Sequence, residues 1–289
     1  MIRTLDFAPV PAEQIAASLA YINWTVLTGL AVGSFGAVVL GLLRTSATKG
    51  YLAFVAFTSA AFGLLAWLSD SGVAGGPQSG VWIGPAVENV WRTARPAALG
   101  LFSVLAVVNA LGLFWGARSR LVALSGLAGG LLVLVAAALS WGSDAGAILL
   151  FIQLAILSAA TGGVWAAMIL GHWYLVTPKL PEAPLILFAR VLTGVVAIQL
   201  ALFIAWVATG AGPAGIAGLG ALTGTWALFV WLRLVVGIVF PLIVSFAAIQ
   251  TARTRSMESA TGLLYINVGT IAAGTILAAG LYFGAGLLV

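Results

Sequence analysis

The sequence has no cysteine in its 289 residues and contains only one histidine. The lack of cysteine excludes disulfide bonds, cysteine-ligated zinc, iron–sulfur clusters and covalently attached c-type haem. The histidine, His172 in the segment "GHWYLVTPKLP", cannot supply the two imidazoles that usually hold a b-type haem. Haem ligation by His172 and Met257 is one alternative, and an interfacial anchor beside Trp173 and Tyr174 is the simpler one. We expect no covalently bound cofactor and no metal site.

Charged residues are also scarce, at 7% of the chain, whereas ordinary globular proteins have about 25%. Hydrophobic residues make up 62% of the sequence, which leaves too little polar surface for a soluble fold of this length. The composition therefore predicts an all-α, polytopic helical membrane protein. The net charge is +5, but the cations lie in short loops between apolar segments, so nucleic acid is not an expected partner.

Several catalytic and transport motifs are missing. The sequence has no HExxH, no Walker loop, no paired Asp-rich motif of a membrane prenyltransferase and no GxSxG. It also has no series of acidic residues across the predicted spans, which coupled proton or sodium transporters usually need. These absences count against an autonomous pump and against most hydrolytic or redox enzymes acting alone.

Apolar runs bounded by glycine, proline and charge predict eight transmembrane spans in one membrane domain, 1–289. The spans are 17–43, 51–69, 97–116, 121–141, 146–171, 184–208, 226–250 and 260–287. A shift of 135 residues superimposes the first four spans on the last four, and aligns "ARSR" with "ARTR". This pattern predicts two parallel four-helix halves, 17–141 and 146–287. The alternative is that similar loop charges follow from the topology alone.

The loop cations predict the orientation in the membrane. The loops after spans one, three, five and seven carry Arg44, Lys49, Arg118, Arg120, Lys179, Arg253 and Arg255. The opposite side carries only Arg3, Arg92 and Arg95. By the positive-inside rule both termini face outward from a bacterial cytoplasmic (inner) membrane.

The segment 70–96 is the longest loop predicted on the outer side. Between Pro85 and Arg95, the apolar residues Val87, Val90 and Trp91 are spaced as on one face of a helix. This spacing predicts a short surface helix that rests on lipid headgroups or on a partner subunit. The alternative is a lid that covers the ends of the spans.

Arg233 is predicted about 10 Å inside the outer boundary of span seven, at about 1.5 Å per residue. A central arginine costs about 2.5–3.5 kcal/mol on insertion scales, so it should face the protein interior and be paired. Asn23, Gln153 and Gln199 lie at similar depth and could complete a polar, ligand-binding layer with it. The alternative is that Arg233 extends to the headgroups while the amides join helices. Pro241, just beyond, should free a backbone carbonyl and kink the helix.

Tryptophan is abundant, and most of it is predicted at the outer face. The outer set is Trp24, Trp67, Trp82, Trp91, Trp141, Trp206, Trp226 and Trp231, and the inner set is Trp115, Trp165 and Trp173. An aromatic belt enriches both faces, so the imbalance indicates a flat or lipid-like ligand at the outer leaflet, or a docking surface for another protein.

The first 72 residues resemble the start of the NrfD-like (polysulfide-reductase-type) membrane subunits of respiratory complexes. The resemblance lies in "WTVLTGLAVGSFGAVVLGLL", with its small residues Gly29, Gly33 and Gly36, and in a second span that ends in "LAWLSDSG". The usual family ending "DLGRP" is only partly matched. The resemblance implies about eight or more spans, no haem of the subunit's own and a quinone near the outer side of the membrane. It also implies that Asp70 lies near the quinol protons.

These features favour a subunit of a bacterial respiratory or electron-transfer assembly, with a quinone near the outer leaflet. Arg233 would orient the quinone, Gln199 and Gln153 would assist, and outer tryptophans such as Trp231 would hold the ring or tail. Expected partners are membrane lipids and other membrane or periplasmic subunits. One alternative is a transporter or channel for a small or amphipathic solute, and another is a structural scaffold without a ligand.

Overall fold

A computed structural model describes residues 11–73, 80–83, 90–142, 145–177 and 179–289. Within these ranges the chain is helical, with eight helical segments long and apolar enough to cross a membrane. The helices are α1 (Pro11–Ala17), α2 (Leu19–Arg44), α3 (Lys49–Asp70), α4 (Val90–Phe114), α5 (Arg120–Trp141), α6 (Ala145–Val176), α7 (Ala183–Thr209), α8 (Ala227–Leu234), α9 (Phe240–Arg253) and α10 (Met257–Ala285). A π-helical turn, Val235–Val239, joins α8 and α9 into one span. The protein is therefore a multi-pass integral membrane protein, because helices satisfy their own backbone groups in hydrocarbon.

The predicted spans are confirmed, and their ends agree within a few residues except in two places. The third span begins at Val90 instead of residue 97, and the fifth continues to Val176 instead of residue 171. Residues 90–95, expected in a separate surface helix, are instead the first turns of α4, which continues through Pro96. Pro85 and Val87, also assigned to that surface helix, lie outside the described residues.

We call the two sides of the membrane domain the Lys49 side and the Asp70 side, after one residue on each. The Lys49 side carries residues 45–48, 115–119, 177, 179–182 and 254–256 between the helices, and the Asp70 side carries the opposite helix ends. Two helices that start on the Lys49 side have side-chain caps, because the hydroxyls of Thr48 and Ser119 accept hydrogen bonds from the backbone N–H groups of Tyr51 and Val122.

The spans pack as two rings of four. In the first bundle α2, α3, α4 and α5 each contact the next, and α5 also contacts α2. In the second bundle α6, α7, the α8–α9 span and α10 repeat this order. A duplicated four-helix unit would have this connectivity, but sequential packing of antiparallel helices produces the same ring. Common ancestry of the two halves therefore stays a prediction.

The two bundles meet mainly where α2 crosses α6. A Cβ atom added to Gly33 would overlap the carbonyl oxygen of Ser158, and one added to Gly162 would overlap the backbone nitrogen of Ser34. Small residues at such crossings let helix backbones approach closely, which favours association in lipid. The bundle interface is therefore a backbone-to-backbone contact centred on Gly33 and Gly162.

Candidate functional site

Arg233 lies inside the second bundle, with only 2% of its surface exposed. Its Nη2 donates to Oε1 of Gln199 at 3.0 Å, its Nη1 to the carbonyl oxygen of Gly237 at 3.1 Å, and its Nε to the main-chain oxygen of Val289 at 3.5 Å. The prediction that Arg233 faces the interior is confirmed. The alternative of a side chain extended to the headgroups is wrong, because all three nitrogens find acceptors inside the protein.

Pro241 explains why an acceptor is available beside Arg233. Proline has no N–H, so the carbonyl four residues earlier, that of Gly237, loses its helical donor. The chain passes this point as a π turn, in which the N–H of Phe240 bonds to the carbonyl of Val235. The carbonyl of Gly237, which the sequence predicts to be free, accepts a hydrogen bond from Arg233.

Helix α10 closes the space around the guanidinium. A Cβ atom added to Gly274 would lie 2.6 Å from the Cα of Gly237 and 2.9 Å from Nη1 of Arg233. Among the described residues, no Asp or Glu side chain forms an ion pair with Arg233. The arrangement indicates an arginine that supports an interrupted helix.

The other members of the predicted polar layer do not gather at Arg233. Gln153 donates through Nε2 to the carbonyl of Ala278 at 3.4 Å, and its Oε1 is buried without a partner among the described residues. Asn23 is exposed on the surface of α2. Trp231 is 46% exposed, and its Nε1 donates to the carbonyl of Leu222 at 3.1 Å. Of the predicted layer only Arg233 and Gln199 are in contact.

His172 lies exposed near the Lys49 end of α6. Its Nδ1 is 3.4 Å from the hydroxyl oxygen of Tyr265 on α10. Within the described ranges, no group of three or more His, Cys, Asp or Glu side chains is placed to hold a metal ion. An exposed imidazole beside a tyrosine at a helix end suits an interfacial anchor.

A second buried charged group lies in the first bundle, where α3 ends. Asp70 is 8% exposed and Arg95 of α4 is 4% exposed. The Nε of Arg95 donates to Oδ1 of Asp70 at 2.7 Å and its Nη2 to Oδ2 at 3.1 Å, while Nε1 of Trp24 donates to Oδ1 at 2.8 Å. Such two-point pairing of a guanidinium and a carboxylate fixes both groups in position.

Aromatic rings enclose this ion pair. The Cζ of Arg95 is 4.7 Å from the ring centroid of Trp141 and 5.9 Å from that of Trp24, both distances typical of cation–π contacts. Tyr21 packs edge-on against Trp141 and also contacts Phe283 of α10. The Tyr21 hydroxyl is buried and has no hydrogen-bond partner among the described residues. We call Asp70, Arg95, Trp24, Trp141 and Tyr21 the Asp70 cluster.

Asp70 is a residue that the family resemblance implies, but its pairing with Arg95 was not predicted from the sequence. A usable signal was present, because α3 ends and α4 begins on the same side of the membrane, which brings the last charge of one near the first charge of the other. Arg95 was assigned instead to the surface helix, outside the hydrocarbon.

Each bundle contains an arginine on its third span bonded to an acceptor on its second span. In the first bundle the acceptor is the carboxylate of Asp70, and in the second it is the amide of Gln199. A carboxylate can take up and release a proton, whereas an amide cannot. Only the first pair can therefore take part in proton transfer.

Comparison with protein-family models, with curated proteins and with solved structures gives no match to this chain. The chemistry of its own side chains is the guide to function.

Proposed function

We propose that the protein is a quinone-binding membrane subunit of a bacterial respiratory or electron-transfer assembly, and that the quinone ring binds at the Asp70 cluster. The observation that carries the proposal is the buried Asp70–Arg95 pair between Trp24 and Trp141, near Tyr21, whose hydroxyl has no partner in the described part of the chain. Burying two charges is costly, so a buried ion pair at the end of a span is a candidate for a functional role. The resemblance of the first 72 residues to NrfD-like subunits supports the same proposal.

The residue types of the cluster suit quinone chemistry. Reduction of a quinone to a quinol takes up two electrons and two protons. The Tyr21 hydroxyl is the donor for a quinone carbonyl, Arg95 holds Asp70 in position, the tryptophan rings are flat apolar walls, and Asp70 is the group that can pass on a proton. The electrons come from a redox centre of a partner subunit in this proposal.

Arg233, Gln199 and Gln153 have no part in the proposed site. Each guanidinium nitrogen of Arg233 already donates to an acceptor in the protein, so a ligand would have to compete with these acceptors. We assign Arg233 and Gln199 to helix packing in the second bundle. The quinone site is thus proposed in the first bundle, on the same side of the membrane as the sequence analysis expected.

We further propose the bacterial cytoplasmic membrane as the location, with the Asp70 side facing outward. The support is the distribution of loop cations, most of which lie on the Lys49 side.

The test is purification in a gentle detergent followed by solvent extraction and quantification of bound quinone. Tyr21→Phe removes one hydroxyl without a change of shape, and a lost hydrogen bond of about 0.5–1.5 kcal/mol predicts two- to tenfold weaker quinone binding. The Asp70→Asn variant should retain less bound quinone than the wild type. Quinol-linked proton transfer should be abolished in an assembly that contains it. The matched control is Tyr51→Phe, a buried tyrosine whose hydroxyl bonds to the carbonyl of Ala166 elsewhere in the protein.

Equal quinone retention in wild type, Tyr21→Phe and Asp70→Asn, all shown to be folded, would contradict the proposed site. A wild-type preparation that contains phospholipid but no quinone would favour the scaffold alternative. Uptake of a solute into vesicles that contain only this protein would favour the transporter alternative.

A further inference from the structure

A cavity of about 310 Å³ lies between the two bundles, away from the Asp70 cluster. Its floor is formed by α2 and α6, and its walls by α5 and α7. The lining is almost wholly apolar, and Leu131 and Val191 on the walls are more than a third exposed, so the groove opens sideways towards lipid.

Small residues leave the floor of the groove empty. A Cβ atom added to Gly163 would meet no heavy atom within 4 Å, and one added to Gly36 would meet only Cδ1 of Leu127, at 3.9 Å. Along α2 the lining extends from Val32 to Leu40, which is about 12 Å at 1.5 Å per residue. That length is most of one leaflet of a hydrocarbon core about 30 Å thick.

Two arginines lie beyond the groove on the Lys49 side. Arg44 follows Leu40 by four residues on α2, and Arg120 precedes Leu127 by seven residues on α5, so both lie on the helix faces that line the groove. Both side chains are exposed, and neither forms an ion pair with an Asp or Glu of the described residues. The groove is thus apolar within the membrane and cationic at its mouth.

We propose that this groove binds an anionic glycerophospholipid, with one acyl chain on the floor and the phosphate between Arg44 and Arg120. The charge at the mouth selects this occupant, because basic pockets between transmembrane helices bind anionic headgroups. A quinone has an apolar tail but no anionic group for the two arginines. The lipid site is independent of the quinone proposal, since the two share no residue.

The test is native mass spectrometry of the full chain, titrated with phosphatidylglycerol or with phosphatidylcholine of the same acyl chains. Wild type should bind phosphatidylglycerol more tightly. Arg44→Gln and Arg120→Gln should each weaken phosphatidylglycerol binding about fivefold, which corresponds to the roughly 1 kcal/mol that one basic residue contributes near an anionic surface. Arg253→Gln, which removes an exposed cation at the end of α9, is the matched charge control.

A second pair of variants tests the floor. Gly163→Leu fills the groove and should reduce binding of both lipids, whereas Gly269→Leu places the same side chain on the exposed face of α10 and should leave binding unchanged. Equal affinity of the wild type for the two lipids would overturn the headgroup assignment. Unchanged phosphatidylglycerol binding in Gly163→Leu, with normal size-exclusion and melting behaviour, would overturn the groove itself.

Discussion

The Nη1 atom of Arg233 lies 3.1 Å from the carbonyl oxygen of Gly237, within the same transmembrane span. In a regular helix that carbonyl would bond to the N–H of residue 241, which is proline here. The arginine side chain therefore replaces a missing main-chain donor in a place that water cannot reach. This accounts for a buried charge in an otherwise apolar segment.

Replacement of Arg233 by methionine should destabilise the protein, because the buried carbonyl of Gly237 would lose its hydrogen-bond donor. Each buried acceptor left without a donor costs about 1–3 kcal/mol, and both Gly237 and Gln199 would lose theirs. Pro241→Ala restores an N–H, so the loss should be smaller in that background. The measurement is a double-mutant cycle of detergent-solubilised unfolding. Equal losses in both backgrounds would show that the Gly237 carbonyl, which lacks a donor because of Pro241, has no part in retaining the arginine.

Alanine substitutions at the adjacent residues Gly162 and Gly163 should have different effects on stability. At Gly162 the new methyl group overlaps the backbone of α2, so Gly162→Ala should cost about 1–3 kcal/mol as overpacking. At Gly163 the methyl group enters open space, and alanine should be neutral or stabilise the helix by up to about 1 kcal/mol. Thermal melting of the two variants side by side distinguishes them. If they melted alike, the α2–α6 crossing would not be a backbone contact.

Replacing one member of the Asp70–Arg95 ion pair should lower the free energy of unfolding more than replacing both members. Asp70→Asn leaves Arg95 buried without a counter-charge, and loss of one partner of a buried pair costs about 3–5 kcal/mol. Addition of Arg95→Met should recover part of that loss. Unfolding of the two single variants and the double variant is the measurement. A double variant less stable than either single one would indicate that the pair contributes net stability.

The absence of cysteine makes the orientation easy to test. Ser71 on the Asp70 side and Ser256 on the Lys49 side are both exposed, so each can carry a single introduced cysteine. A membrane-impermeant maleimide added to spheroplasts should label Ser71→Cys at once and Ser256→Cys only after permeabilisation. The opposite result would reverse the predicted topology.

The spans could be predicted from the sequence because bilayer thickness fixes their length and apolarity. The faces of the helices were harder to predict, since helices that contact both lipid and protein are apolar all round. Asn23 and Gln199 show the difficulty: the sequence predicts both at similar depth, but Asn23 is exposed and Gln199 is buried against Arg233. The start of α4 was misplaced because Pro96 suggested a boundary, although helices in membranes tolerate proline.

The Gly33–Gly162 contact also sets an order of events during synthesis. The two glycines are 129 positions apart in the sequence, so at about 5–20 residues per second α6 follows α2 out of the ribosome by roughly 6–26 s. Helices α3, α4 and α5 of the first bundle are made in that interval. The glycine face of α2 is therefore first exposed to lipid or to the insertion machinery. It is covered only after α6 has been synthesised and inserted.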